Sequence, residues 1–289
     1  MSNVLIFGAS GMLGNTLMKY FLAQPEFNVY GTVRSADSLA NFGPKFREKF
    51  LYDINIDSVD SLISAFEIAK PTVVVNCIGL VKQLSASVDP LKALPINAIL
   101  PHRLSKICGI TNSRLIHLST DCVFSGREGM YSEADIPDAS DLYGLSKRLG
   151  EVTYDNAITL RTSIIGHEIS GQRSLVDWFL AQEGVVSGFT RAIFSGLPTI
   201  EIAEIIKNHV IPRPDLTGLY HISAEPIDKY KLLNLVAAIY NKDIRIIEDS
   251  NFKIDRSLDS SRFRSATGYI PPSWTELIHK MHHFQQQIV

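Results

Sequence analysis

Tyr143 and Lys147 stand four residues apart in the segment YGLSKRLGE, and Ser119, Thr120 and Asp121 close an apolar run that begins at Leu115. On a helix, a spacing of i, i+4 puts both side chains on one face. A hydroxyl at a strand end, a phenol and an ammonium are together the parts of a proton-transfer site for a carbonyl or an alcohol. A free phenol has a pKa of about 10 and is a poor acid–base group near neutrality. A lysine cation beside it favours the phenolate. Lowering the phenol by about two to three units needs roughly 3–4 kcal/mol of differential stabilisation. Tyr and Lys at this spacing are also common on ordinary surface helices, so the elements around them decide.

The first such element is a strand, a glycine turn and a helix. Val4-Leu5-Ile6-Phe7 reads as a buried strand, GASGMLG follows, and a helix runs on to about Ala23 before Pro25. Gly8 and Gly11 let the backbone turn tightly and approach a pyrophosphate, with Ser10, Met12 and Leu13 in the same turn; the helix N-terminus supplies the positive end. Gly14 lets helix and strand pack closely. A glycine turn placed directly after a strand and before a helix is the context expected of a dinucleotide site. An oxidised nicotinamide there would add a second positive charge near the phenol. Many NAD sites end the second strand in an acid. The second strand here, Asn28 to Val33, leads instead into Arg34 and Ser35, which suit a 2′-phosphate. NADPH is therefore the expected cofactor, with NADH as the alternative.

A third strand, Phe50 to Tyr52, ends in Asp53 and Ile54, suited to the edge and face of an adenine ring. A helix starts at Asp57-Ser58 and runs through Ala69. The fourth strand, Val73 to Val75, ends in Asn76, Cys77, Ile78 and Gly79, where small residues let ribose and nicotinamide pass. Leu80 to Ser87 reads as a loop over the site and carries Lys82 and Gln83. The next helix starts near Asp89-Pro90, a good cap and first-turn pair. Pro95 and Pro101 inside it are expected to kink or restart it. Asn97 between them either bonds a freed carbonyl or holds a water near Lys147.

The balance of 28 basic and 30 acidic residues contains no basic block, which argues against nucleic acid or an anionic membrane as partner. Cys77, Cys108 and Cys122 have no CxxC spacing, against a disulfide framework or a zinc cluster. No apolar run approaches the roughly 20 residues of a membrane span, and Val4 already lies in a strand with no charged leader before it. A cytoplasmic location is the expectation.

The chain resembles the extended short-chain dehydrogenase/reductases, and within them the dTDP-4-dehydrorhamnose reductase (sugar-nucleotide 4-ketoreductase) group. The resemblance is carried by GASGMLG, Asp53-Ile54, Asn97, STDCVFSG from Ser119 to Gly126, and YGLSKRLGE from Tyr143 to Glu151. Arg161-Thr162-Ser163, Gly196-Leu197-Pro198-Thr199, Gly218 to Ile222 and Arg256 to Asp259 also fit, so it covers essentially the whole chain. It implies that Tyr143 donates a proton to a ketone oxygen and that Lys147 binds the nicotinamide ribose and lowers the Tyr143 pKa. Thr120 would bond the same oxygen and Asp121 would help place it. Related 4,6-dehydratases carry a glutamate after the aspartate; Cys122 stands here, which argues against dehydration. GDP-fucose synthase-like epimerase–reductases use a cysteine and a histidine, so Cys122 with His167 keeps that alternative open. The same fold also serves as a non-catalytic NADP-binding regulatory subunit, as in the β subunit of methionine adenosyltransferase.

The implied architecture is α/β: a Rossmann-type doubly wound parallel sheet over residues 1–165 and a smaller C-terminal α/β substrate lobe over 166–289, with interleaved segments. In that lobe Trp178 and Arg191 are candidates for a base ring and a diphosphate, each with an ordinary alternative: core packing and an ion pair. Arg256 and Arg262, near Asp255 and Asp259, either border the substrate or bond across loops. His282 and His283 diverge on a helix and read as surface residues rather than metal ligands. Some family members dimerise through a metal-linked acidic contact; no ligand cluster supports that here, and a homodimer stays open. The expected reaction is reduction of the C4 ketone of a nucleotide-linked 4-keto-6-deoxyhexose, linked to dTDP or, as a 2-acetamido analogue, to UDP, for a surface polysaccharide.

Overall fold

Apolar runs bounded by turn residues build the first sheet. In the computed structural model, described over residues 1–34, 42, 44–80, 88–169 and 171–287, Val4 to Phe7 are fully buried in β1 (Ser2–Phe7). There follow α1 (Met12–Leu22), β2 (Phe27–Thr32), β3 (Phe50–Leu51), α2 (Val59–Ala69) and β4 (Val73–Asn76). Next come α3 (Pro90–Ala93), α4 (Leu100–Ile110), β5 (Arg114–Thr120), α5 (Leu142–Leu149) and β6 (Ala157–Thr162). The chain continues through β7 (Ile164–Ile165), α6 (Leu175–Leu180), β8 (Val185–Phe194), β9 (Leu197–Pro198), α7 (Thr199–Ile205) and β10 (Gly218–His221). It ends with β11 (Ile227–Asp228), α8 (Lys229–Ile239), β12 (Arg245–Asp255), α9 (Ser261–Thr267) and α10 (Trp274–Gln286).

Seven strands form a parallel sheet in the order β10-β6-β5-β4-β1-β2-β3. β1 pairs in parallel with β2 on one side and β4 on the other. Winding reverses between β1 and β4, the position at which open α/β sheets bind ligands beyond their strand ends. This is the Rossmann-type doubly wound fold expected from the sequence. Two boundaries differ slightly. Val33 lies outside β2, although its N–H still bonds the Leu51 carbonyl at 3.0 Å. β3 is two residues long, and Tyr52 lies beyond it.

The prolines change the helix without ending it. α3 passes into a π-helical segment, Leu94–Ile99, and then into α4. Pro95 and Pro101 each sit in the first turn of the segment they open. The residues before each segment, Ala93 and Ile99, keep right-handed helical angles, so the run is continuous and the wider π turn takes up the break that a missing N–H leaves in the ladder. The chain thus restarts its hydrogen-bond pattern at each proline.

Two compact units interleave along the chain. The first comprises Met1–Ser119, Asp141–Leu160 and Val210–Leu219; the second comprises Thr120–Ser140, Arg161–His209 and Tyr220–Val289. In the first, Phe7, Leu62, Phe66, Leu100, Leu104 and Leu115 share one buried cluster. In the second, β11, β8 and β12 form a three-stranded sheet, with β12 parallel and β11 antiparallel to β8. A Cβ at Gly188 of β8 would lie 2.8 Å from the Tyr230 ring, so the glycine lets α8 pack close. Lys280 of α10 bonds Glu201 at 2.5 Å and Glu204 at 2.7 Å and ties that helix to α7. Among the described residues no helix is long and apolar enough to cross a membrane.

Candidate functional site

The glycine turn is built against the sheet. Gly8 has φ +84°, the left-handed region, and its N–H donates to Thr32 Oγ1 at 3.2 Å. A Cβ at Gly14 would stand 2.1 Å from the Gly8 carbonyl oxygen, so only glycine lets α1 lie on the turn. Gly11 is exposed and caps α1 without a side-chain bond, and the first turn of α1 holds no acid. The N–H groups of Met12, Leu13 and Gly14 therefore lack helical acceptors. Beside the exposed Gly11 they form an anion cradle of the kind a pyrophosphate fits. Ser10 lies half-buried in the same turn. The residues around the neighbouring strand ends also fit a dinucleotide. Ile54 and Ile78 pack on the core of this unit, leaving apolar surface at the strand ends. Asp53 is exposed and held at φ +56° just past β3. Arg34 is exposed after β2. Ser35 and Lys82 lie outside the described residues, as does nearly all of the loop from Leu80 to Ser87.

Lys147 is the best-anchored member of the expected proton site. It is 5% exposed and donates to the Leu118 carbonyl at 2.7 Å. Burial lowers its pKa from the ordinary 10.5 to about 8, with Glu151 and Cys77 acting in the opposite direction. Burial pushes the Cys77 thiol well above its ordinary range, so it is a neutral neighbour. Tyr143, one turn before Lys147, is half-buried. Asp141 caps the helix by accepting the Gly144 N–H at 3.0 Å.

Asn97 bonds the backbone of Leu80 rather than a carbonyl freed by either proline. Its Oδ1 accepts the Leu80 N–H at 2.8 Å, and its Nδ2 donates to the Leu80 carbonyl at 3.2 Å and to Ser146 Oγ at 3.1 Å. Ser146 Oγ in turn donates to the Tyr143 carbonyl at 3.0 Å. Asn97 is thus a clamp from the π-helical segment to the residue after Gly79 and to α5. A Cβ at Gly79 would lie 3.5 Å from Asn97 Oδ1 and 3.9 Å from Lys147 Nζ, so a side chain there would fill the space over both. Two residues that the sequence named without a role complete the arrangement: Ser119 Oγ donates to Glu151 Oε1 at 2.7 Å. Their signal was a hydroxyl at the strand end and an acid four residues after Lys147.

These contacts set a stability expectation for the ligand-free protein. In the unfolded chain Lys147 titrates near 10.5, and in the folded one near 8. Between those values the unfolded state binds more protons, so stability rises with pH across that window and is lost again as pH falls through about 8. At neutral pH the burial opposes folding by about 3 kcal/mol. Loss of the charge-assisted bond to Leu118 returns about 2 kcal/mol. Lys147→Met is therefore expected to raise the thermal midpoint by about 2–4 °C, the shift for about 1 kcal/mol in a chain of this size. A lowered midpoint in calorimetry would mean that the Leu118 bond outweighs the burial cost.

In the second unit Thr120 ends β5 and caps a 3₁₀ turn, Asp121–Val123. Thr120 Oγ1 accepts the Cys122 N–H at 3.1 Å and donates to Asp121 Oδ1 at 3.2 Å. A hydroxyl has one proton, and that of Thr120 is engaged by Asp121. Burial raises the Asp121 pKa, and Arg256 opposes that. Arg256 bonds across loops, donating from Nε to the Phe124 carbonyl at 2.8 Å and from Nη1 to Cys122 Sγ at 3.7 Å. Burial pushes the Cys122 thiol to about 12, so it is a neutral thiol at pH 7.

The remaining candidates are placed as follows. Trp178 is 38% exposed on α6 rather than packed in the core. Arg191 is exposed on β8 opposite Lys253 of β12. Phe189 packs on Phe252, with ring centroids 5.3 Å apart. Arg262 stacks over Tyr220 at 4.6 Å. His167 has both ring nitrogens engaged, by Asp177 at 2.6 Å and the Tyr240 hydroxyl at 2.9 Å. His283 is exposed on α10 and bonds Gln287, whereas His282 bonds Gln286 and is half-buried against the Tyr240 ring, centroids 4.3 Å apart.

A model of the family described as RmlD substrate binding domain matches residues 1–284. Among curated relatives, methionine adenosyltransferase 2 subunit beta of Danio rerio is 28% identical over 251 residues, 82% of this chain and 74% of that protein. The dTDP-4-dehydrorhamnose reductase of Aggregatibacter actinomycetemcomitans is 25% identical over 236 residues, 78% of this chain and 74% of that one. Among solved structures, the dTDP-4-dehydrorhamnose reductase of Bacillus anthracis in complex with NADP superposes with a TM-score of 0.79 at 20% identity, covering 98% of this chain and 99% of that one. At that identity the likeness is one of fold.

Proposed function

The chain belongs to the RmlD substrate binding domain family, the dTDP-4-dehydrorhamnose reductase-like group of extended short-chain dehydrogenase/reductases, and we propose that it reduces the C4 ketone of a nucleotide-linked 4-keto-6-deoxyhexose with NADPH. The observation that carries this reading is the buried Lys147 ammonium on the Leu118 carbonyl, one helical turn from Tyr143 and two residues before Thr120 along β5. When bound, the cofactor supplies the hydride. Met12, Leu13 and Gly14 hold its pyrophosphate with their N–H groups, and Arg34 faces the 2′-phosphate. Ile54 and Ile78 take its apolar faces. Tyr143 delivers the proton to the ketone oxygen, and Lys147 favours the phenolate that remains. Asn97 positions Leu80 and α5. Reduction needs one proton at one oxygen, and nothing in this scheme asks Cys122 to ionise.

The relatives named as a methionine adenosyltransferase subunit keep a second reading in play: an NADP-binding regulatory subunit without turnover. An epimerase–reductase is less favoured, because a neutral Cys122 and a doubly bonded His167 make a poor acid–base pair. The test is NADPH oxidation by the purified protein, offered matched dTDP- and UDP-linked 4-keto-6-deoxysugars with and without a separate epimerase. Turnover of one nucleotide series is the expected result and fixes the substrate class; its product would feed a surface polysaccharide. Tight NADPH binding with no turnover of any sugar would overturn the reductase and favour the regulatory subunit.

A further inference from the structure

His117 is a fully buried histidine with one ring nitrogen left over. Phe7, Asn76 and His117 are neighbours across β1, β4 and β5, and all three are 0% exposed. Asn76 settles how the ring is protonated. Its Oδ1 accepts the Ile78 N–H at 3.1 Å, so the group it turns to His117 Nδ1, 3.2 Å away, is the Nδ2 donor. Nδ1 is therefore an acceptor, and a neutral imidazole then carries its one proton on Nε2. Burial holds the ring well below its ordinary pKa of 6.5, with Lys147 and His102 acting the same way, so the neutral form is the resting one. Nε2 is thus a buried donor, and among the described residues it has no hydrogen-bond partner. Buried donors are normally met, because leaving one unmet is costly. Packing alone does not ask for a histidine here, since an apolar ring would leave no N–H to satisfy.

The pair reaches the glycine turn. A Cβ at Gly8 would stand 2.9 Å from the Ile78 side chain and 3.2 Å from the Ile78 nitrogen, the same N–H that Asn76 holds. The helical layer over the ring offers an acceptor. Phe7 and Leu115, on the same face of the sheet as His117, share their cluster with Leu100 and Leu104. The Leu100 N–H goes to the Pro95 carbonyl, and the same π spacing would bring residue 101 to the Ile96 carbonyl. Pro101 has no N–H to give it. A water between a buried donor and a freed carbonyl has the two partners an internal water needs.

The geometry points to His117 as a positioning residue for the dinucleotide: through Asn76 it fixes the end of β4 against the glycine turn, and its buried N–H holds an internal water under the π-helical segment. The assignment rests on the cofactor half of the reading above and does not depend on the sugar. Without an acceptor at position 117 the Asn76 amide is free to turn, and the Ile78 N–H loses its fixed partner beside Gly8.

The experiment uses the full chain. NMR on isotope-labelled histidine, with the His117 signal assigned by its loss in the variant, is expected to show the proton on Nε2, a bare Nδ1 and a cross-peak from the Nε2 proton to a bound water. NADPH affinity is measured by fluorescence. His117→Phe is expected to weaken it about tenfold, the worth of one hydrogen bond. His117→Asn, whose amide oxygen takes the place of Nδ1, is expected to stay within about threefold of wild type. A ring that only fills the core would be replaced better by Phe than by Asn. If His117→Phe does not fold, His117→Gln, which keeps a donor at the Nε2 end and loses the acceptor, is judged by the same outcomes. A proton on Nδ1, an absent water cross-peak, an NADPH Kd unchanged in His117→Phe, or a loss that His117→Asn shares in full overturns the assignment alone. A wild type that binds no dinucleotide overturns it together with the cofactor half of the reading.

Discussion

Tyr143→Phe is expected to lower kcat by about 10³-fold while leaving the NADPH Kd unchanged. A positioned general acid contributes about 10²–10⁴ in rate, or roughly 4 kcal/mol of barrier at the middle of that range. The substitution removes one oxygen and keeps the ring, and the backbone around it is held independently of that oxygen. Ser146 bonds the Tyr143 carbonyl and is itself bonded by Asn97. Asp141 caps the helix start. Lys147 keeps its bond to Leu118. The loss should therefore fall on proton delivery, and stopped-flow reduction at saturating NADPH would isolate it. If kcat is retained within a few fold, the proton comes from elsewhere, and the Tyr143–Lys147 pair is a structural feature of α5.

The parts of this arrangement that were legible in the sequence are local ones. The strand before Gly8, the turn and α1 follow one another within the first 22 residues, and each states its identity through its neighbours. Tyr143 and Lys147 declare themselves by helical spacing. The clamp at Asn97 was not legible, because its partners are 17 and 49 residues away and are backbone or a common serine. β12 was missed because most of its residues are exposed, so it has no apolar alternation to read. The π-helical segment was foreseen only as a disturbance at two prolines, since the sequence names where α-helical bonding must stop but not what replaces it.

The second large effect concerns how α5 is seated. A Cβ at Gly150, the C-cap of α5, would lie 2.0 Å from the Asn97 carbonyl oxygen and 3.3 Å from the Ala98 Cα. Those are backbone atoms of the π-helical segment, and they cannot swing aside as a side chain can. Gly150→Ala must therefore lift the end of α5 or push the segment away. Overpacking a fitted contact costs about 1–3 kcal/mol, and a backbone collision belongs at the upper end, so a fall of about 6–12 °C in the thermal midpoint is expected. The same displacement reaches chemistry. Lys147 lies three residues before Gly150 and Asn97 carries the colliding carbonyl, so the Lys147 bond to Leu118 and the Asn97 clamp on Ser146 loosen together. A misplacement of about 1 Å can cost about 100-fold in rate, and kcat is expected to fall by that order even where the protein stays folded. Gly109→Ala is the matched control. It lies inside α4, where an added Cβ would meet only Asn156 Nδ2 at an ordinary 3.5 Å. Replacing a helical glycine at such a site should stabilise by about 0.5–1 kcal/mol and leave kcat alone. If both variants melt like the wild type and turn over like it, α5 is not held by its close approach to the π-helical segment, and the placement of Tyr143 and Lys147 must be assigned to the strand side of the helix instead.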